Sequence, residues 1–156
     1  MKTVPLSKGM VAIVDDADHD RVSQHKWFYS VRGYAVRNVP NPKGIKRKWT
    51  MQTMHRFIAG IPDGVTVDHI SGDKLDNRRE NLRAATLQQN ACNRGLTKRN
   101  TSGSKGVSWY SPSQKWRAVI AVNKKYVHIG HFTDKQEAID AYAEAANRLH
   151  GEFART

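Results

Sequence analysis

At 156 residues the chain suits one ordinary domain or two small ones, and its 26 Lys and Arg against 14 Asp and Glu leave a formal charge of +12, which points to a polyanionic partner. A single cysteine, Cys92, excludes an intramolecular disulfide framework and a Cys-ligated structural zinc of the usual kind. No apolar run approaches ~18 residues and no signal-peptide pattern opens the chain, so the expectation is a soluble, cytoplasmic protein with no membrane partner.

In chain order, MVAIV (10–14) reads as a strand, DADHDRVSQHKW (16–27) as a short helix with Val22 and Trp27 inward, and 34–39 as a second strand. PNPKGIKRK (40–48) is a turn with a basic flank. WTMQTMHRFIAG (49–60) places Met51, Met54, Phe57 and Ile58 at helical spacing, which predicts one helix ending at Gly60, with a turn at Pro62-Asp63-Gly64. VTVDHI and LRAAT then read as strands around the polar loop SGDKLDNRREN. Thr86 to Gln89 is a capping-box pattern that predicts a helix with Thr86 as N-cap.

LTKRNTSGS (96–104) reads as a basic linker. Beyond it GVSWY, KWRAVIAV and KYVHIGHF are three strands. On the middle one Trp116, Ala118, Ile120 and Val122 share one face, and on the third Val127 and Ile129 turn inward. A second capping box, Thr133 to Gln136, opens a helix with a stripe of Ile139, Tyr142, Ala146 and Leu149. A three-stranded antiparallel sheet packed on one helix is the economical fold of this half.

No acidic residue occurs between Glu80 and Asp134, whereas Arg83, Arg94, Lys98, Arg99, Lys105, Lys115, Arg117, Lys124 and Lys125 all fall there. A charge run is ordinarily a solvated face, but one this long and acid-free favours nucleic acid. Within DHISGDKLDNRRENLRAATLQQN (68–90) the chemistry of phosphodiester cleavage has candidates. An imidazole titrates near neutral pH, so His69 can serve as a base, and Asp68 with an Asn carbonyl offers hard oxygen donors to a divalent cation. Neighbours on a strand point to opposite sides, so Asp68 and His69 converge only at a strand end. Asn90, in the helix that follows, can face back onto the hairpin. Asn77, between Asp76 and Arg78, reads as loop-stabilising, and Asp73 as a subordinate second ligand.

Asp68-His69, then Asn81 and Asn90, resemble the motif of the HNH, or ββα-metal, nucleases, and HRFIAGIPDGVTVDHISGDKLDNRRENLR is similar to the phage and intron-encoded HNH homing endonucleases. The resemblance implies an α+β fold with a ββα-metal finger at about 65–95 inside a nuclease domain of residues 1–95. It implies His69 as general base, Asn81 as the residue that orients it, and Asp68 with Asn90 as ligands of one Mg²⁺ or Mn²⁺. His55-Arg56 matches the family's upstream His-Arg pair, read as substrate-phosphate contact or packing. Asn90 stands where many members have His, as in the nicking subgroup.

Residues 105–156 resemble the Apetala-two/ethylene-response-factor DNA-binding domain, whose sheet enters the major groove with the helix behind it. The implied groove-facing set is Lys105, Ser108, Arg117, Val119, Tyr126 and His128. Lys124 and Lys125, with Lys115, Arg83 and the linker cations Lys98 and Arg99, are placed for phosphates. The plant family's specificity residues are not kept here, so its target sequence does not transfer. The reading is a metal-dependent endonuclease acting on double-stranded DNA as a monomer or dimer. Its alternative is a non-catalytic DNA-binding regulator on a nuclease scaffold, which the intact Asp68, His69, Asn81 and Asn90 set disfavours. An RNA-binding module would draw on the Trp and Tyr content, but no pattern of the known RNA-binding folds supports it.

Overall fold

The computed structural model describes residues 1–42, 47–61 and 64–156, so residues 43–46 of the expected 40–48 turn, and 62–63 of the turn after it, lie outside the described residues. The chain is of mixed α/β class and divides into two compact units, Met1–Thr86 and Leu87–Thr156. That division falls ahead of the expected boundary at residue 95. No helix among the described residues is long and apolar enough to cross a membrane.

In the first unit β1 (Lys2–Pro5), which the sequence reading missed, pairs antiparallel with β2 (Val11–Val14). The helix α1 (Asp16–Ser23) is shorter than expected and stops before Trp27. Trp27 still turns inward, because its indole Nε1 donates to the Val22 carbonyl at 2.9 Å. β3 (Phe28–Tyr29), β4 (Ala35–Pro40) and β5 (Trp49–Thr53) form an antiparallel sheet in the order β3-β4-β5, and α2 (Met54–Ala59) follows directly.

The single helix expected over 49–60 is therefore half strand. Pairing with β4, fastened by Arg37 Nε donating to Gln52 Oε1 at 2.8 Å, wins over the helical spacing, and Met51 is left 64% exposed. Helix α2 ends where Gly60 adopts a left-handed conformation (φ 62°) and returns its N–H to the Arg56 carbonyl. Val4, Ala12, Val14, Val22, Trp27, Ala35, Met54 and Ile58 make the core of this unit.

The hairpin of β6 (Thr66–His69) and β7 (Leu82–Ala85) completes the unit, with Asp68 opposite Arg83 and His69 opposite Leu82. Its connecting loop is held by the N-terminal segment: Ile13 N–H donates to the Leu75 carbonyl and Asn77 N–H to the Ile13 carbonyl, each at 2.8 Å. Arg79 adds its backbone N–H to Asp15 Oδ2 at 2.8 Å and its guanidinium to buried Asp18 at 2.7 and 2.9 Å. Residues 1–49 thus scaffold the loop on which the candidate residues stand.

The second unit begins with α3 (Leu87–Cys92). The stretch expected as a linker is folded against its own unit: Ser102 is buried and its hydroxyl donates to the carbonyls of Val107 at 2.7 Å and Ser104 at 2.9 Å. Strands β8 (Val107–Tyr110), β9 (Lys115–Val122) and β10 (Lys125–Phe132) pair antiparallel in the order β10-β9-β8. Val107, Ala118 and Ile120 share a core with Ala138, Tyr142, Ala145 and Ala146 of α4 (Lys135–His150).

Two local expectations are corrected here. The N-cap of α4 is Asp134 rather than Thr133, its carboxylate accepting the Gln136 and Glu137 amides at 2.7 and 3.1 Å, since a carboxylate is a strong acceptor at a helix start. Val127 is 45% exposed although it pairs with Ile120, while beyond it a register shift between His128 and Gly130 leaves Ile129 and Phe132 packed on the core.

Candidate active site

His69 closes β6 and is buried. Its ring meets His55 edge-on at 4.8 Å between centroids, and Tyr34 lies 6.0 Å from His69 and 5.2 Å from His55. Burial lowers the proton affinity of His69. The Asn77 side chain, then the charges of Asp68, Asp73 and Asp76, pull partly the other way. The net direction keeps the imidazole neutral at neutral pH, the form in which it accepts a proton.

Asn81, expected to orient His69, bonds to the loop that follows His69 rather than to its ring. Its Oδ1 accepts the Ser71 N–H at 2.8 Å and its Nδ2 donates to the Asp76 carbonyl at 2.8 Å, so it clasps the loop from inside. Asn77, weighed in the sequence as the competitor for Asn81 and read as loop-stabilising, favours the protonated form of His69, but its buried Oδ1 accepts no hydrogen bond among the described residues and so does not fix the ring. Asn77 is fully buried and donates to the Leu75 carbonyl at 2.9 Å. Only the loop's path, drawn in by β2, brings it there, and no sequence signal separates it from Asn81.

Asp68 is buried on the other side of the strand, where Arg83 Nε and Nη2 both donate to its Oδ2 at 3.0 and 2.9 Å. Arg83, expected at DNA phosphates, is instead the partner of the expected cation ligand. The register that sets these two opposite each other was the signal that could have found the pair. Asp73 is exposed, and its Oδ1 accepts the Leu75 N–H at 2.9 Å. Asp76 is bound by Arg78 at 2.7 and 2.9 Å.

Asn90 lies on α3, in the second unit, and is half-buried. Carboxylate and amide oxygens, the donors that Asp68 and Asn90 each carry, are of the type hard divalent cations take. Among the described residues no group of three or more His, Cys, Asp or Glu side chains gathers to hold a metal ion.

His55 is buried, its Nε2 3.1 Å from Thr53 Oγ1, so it packs the site rather than facing a phosphate. Burial first, then the neighbouring His69 and Arg56, push its pKa down to about 3. Arg56 donates from Nη1 to the Val65 carbonyl at 2.8 Å.

In the second unit the strand register sorts the remaining cations. Ser108 pairs with Arg117, Val119 with His128 and Ala121 with Tyr126, so these side chains share the sheet face opposite Ala118 and Ile120. The same register adds two residues the sequence reading missed. Tyr110, opposite Lys115, and His131, opposite Arg117, have ring centroids 5.1 Å apart, and His128 lies 4.6 Å from His131. The Arg117 guanidinium stands 5.2 Å over the Tyr110 ring.

Lys124 and Lys125 are exposed at the β9–β10 turn, where Asn123 and Lys124 take positive φ. Lys98 and Arg99 are exposed as well. Lys105 departs from the expected groove-facing set: its ammonium donates to the Cys92 carbonyl, and it lines a cavity with Ile139 and Tyr142 of α4. Trp116 packs against the core, and Trp109, half-exposed, meets it edge-on at 5.3 Å.

Comparison with known proteins bears on the same segment. Residues 55–92 match the family model described as HNH endonuclease. The chain is 37% identical over 95 residues to protein 3.8 of Escherichia phage T7, covering 61% of this chain and 78% of that protein. It is 33% identical over 153 residues to an uncharacterized HNH endonuclease of Acanthamoeba polyphaga mimivirus, covering 94% of this chain and 74% of that one. No solved structure matches the chain. With a likeness to a viral HNH endonuclease that covers 94% of this chain and 74% of that protein, and with its Asp68, His69, Asn81 and Asn90 all inside the matched segment, the chain belongs to the HNH endonuclease family.

Proposed function

We propose that this family member is a metal-dependent DNA endonuclease of the homing type that nicks double-stranded DNA as a monomer, at a site located by its second unit. The observation that carries the reading is His69: an imidazole kept neutral by burial, gripped by His55 and Tyr34, within the segment that matches the family. His69 takes the proton of the attacking water. Asn81 orients its ring through the loop that it closes, with Asn77 buried within that loop. Asp68 and Asn90 hold one Mg²⁺ or Mn²⁺, which when bound supplies Lewis-acid stabilisation of charge on the phosphoryl and leaving oxygens. In-line attack leaves 5′-phosphate and 3′-hydroxyl ends.

The second unit is read as an Apetala-two/ethylene-response-factor-like module. What supports it is the outer sheet face of Ser108, Arg117, Tyr126 and His128, extended by Tyr110 and His131, with Lys124 and Lys125 at its turn for phosphates.

Supercoiled plasmid incubated with wild type and with His69→Ala, in Mg²⁺, Mn²⁺ or EDTA, tests the catalytic part. The expected result is conversion to the nicked circle that needs the metal and is lost in the variant. A wild type that binds DNA in a salt-dependent manner yet never cuts would favour the regulator instead.

A further inference from the structure

Among the described residues three carboxylates are buried in the first unit, and each is met by a guanidinium: Asp18 by Arg79 and Arg21, Asp76 by Arg78, and Asp68 by Arg83. The first two pairs brace the loop. The third lies on the carboxylate proposed above as a cation ligand, and this inference rests on that reading. The Arg83 side chain is only 11% exposed, and two of its nitrogens converge on one oxygen, Asp68 Oδ2.

At that burial a forked guanidinium is an internal counter-ion, so the charge of Asp68 is already balanced. Asn90, the other proposed ligand, is neutral. Asp76 is engaged by Arg78, and Asp73 receives a backbone N–H on its exposed loop. Among the described residues no further group of acids or histidines gathers that could hold the ion. A divalent cation arriving alone therefore meets a carboxylate whose charge the Arg83 guanidinium already cancels. A DNA phosphate entering the same site brings the missing negative charge.

We propose that Arg83 makes cation binding conditional on DNA: it fixes the Asp68 carboxylate and cancels its charge, so that cation and substrate phosphate load together. Arg83 is then a positioning residue, and DNA contact is left to the other cations. Linkage requires the effect to be reciprocal, with the cation tightening DNA binding by the same factor.

Mn²⁺ binding to the full chain, followed by the electron paramagnetic resonance of the free ion, tests this with and without a mixed-sequence duplex, after subtraction of Mn²⁺ held by the duplex alone. Wild type is expected to bind Mn²⁺ weakly by itself and on the order of tenfold or more tightly with duplex. Arg83→Gln should bind the free ion tighter than wild type by a similar factor and lose the dependence on duplex. Arg83→Lys, which keeps the charge, should keep it.

Arg83→Gln that melts like wild type but binds free Mn²⁺ no tighter would overturn the proposal. Should Arg83→Gln not fold, a folded Arg83→Lys without coupling would overturn it equally. Metal-dependent plasmid cleavage alongside uncoupled Mn²⁺ binding sinks the role of Arg83 alone. Absence of Mn²⁺ binding in either state, together with absence of metal-dependent cleavage, sinks the nuclease reading beneath it.

Discussion

His69 lives between opposing influences: burial drives its proton off, while Asn77 and the nearby carboxylates draw it back. Removing Asn77 takes away a group that favours the protonated form, so in Asn77→Ala the acid limb of the kcat/KM profile for plasmid nicking should move to lower pH. Asn81→Ala should leave that limb where it is and destabilise the fold by about 1–3 kcal/mol, because the Ser71 N–H and the Asp76 carbonyl lose their partner. Denaturation of the two variants beside their pH profiles separates the roles. His55 adds a stability signature. Its folded pKa of about 3 lies below the ordinary 6.5, so its contribution is complete above pH 6.5 and drains away as pH falls from there toward 3, where the unfolded chain takes up a proton the folded one refuses. Urea midpoints across that range should fall, and His55→Gln should make the fall shallower.

At the scale of elements, local pattern and pairing compete. Met51, Met54, Phe57 and Ile58 do recur at helical spacing, yet only the last three lie in α2, because β4 offers residues 49–53 a full ladder. Met54, at the junction, is fully buried, so Met54→Ala should cost about 2–5 kcal/mol of stability by thermal or denaturant unfolding. In the second unit the tight point is Gly106, whose φ of +68° lies in the left-handed region. A Cβ there would come within 2.1 Å of the Tyr142 ring and 2.6 Å of the Val119 carbonyl oxygen. Gly106→Ala should cost on the order of 3 kcal/mol. Its readout is the near-ultraviolet signal of the Trp109–Trp116 pair.

Over the whole molecule the positive charge divides by task rather than by count. Arg78, Arg79 and Arg83 are committed to carboxylates of their own unit, and Lys105 to the Cys92 carbonyl, whereas Lys124 and Lys125 stand exposed. The double variant Lys124→Ala/Lys125→Ala should reduce the slope of log K for DNA against log salt by about 2, and Lys105→Ala should leave it unchanged. Arg117→Ala should cost about 1–3 kcal/mol and relax sequence choice, if its contact is to a base edge. Titrations by fluorescence anisotropy at several salt concentrations give both slopes, and titrations over duplexes of varied sequence give the Arg117 effect.

The sequence by itself determined the partner class, the family and the catalytic candidate, because net charge, the spacing of Asp68, His69, Asn81 and Asn90, and period-two strands are written in residue order. It also carried Val22, Trp27, Ala118 and Ile120 to buried positions, since apolar periodicity is local information. What only the tertiary structure decided was which residue touches which. Asn77 is buried on the Leu75 carbonyl, and Asn81 spans the loop from Ser71 to Asp76, because β2 draws the loop inward. Arg83 meets Asp68 because the hairpin register sets them opposite. Lys105 turns away from solvent because a backbone carbonyl accepts its ammonium. Each outcome depends on a partner distant along the chain or on a pairing register, and neither is encoded in the spacing of neighbouring residues.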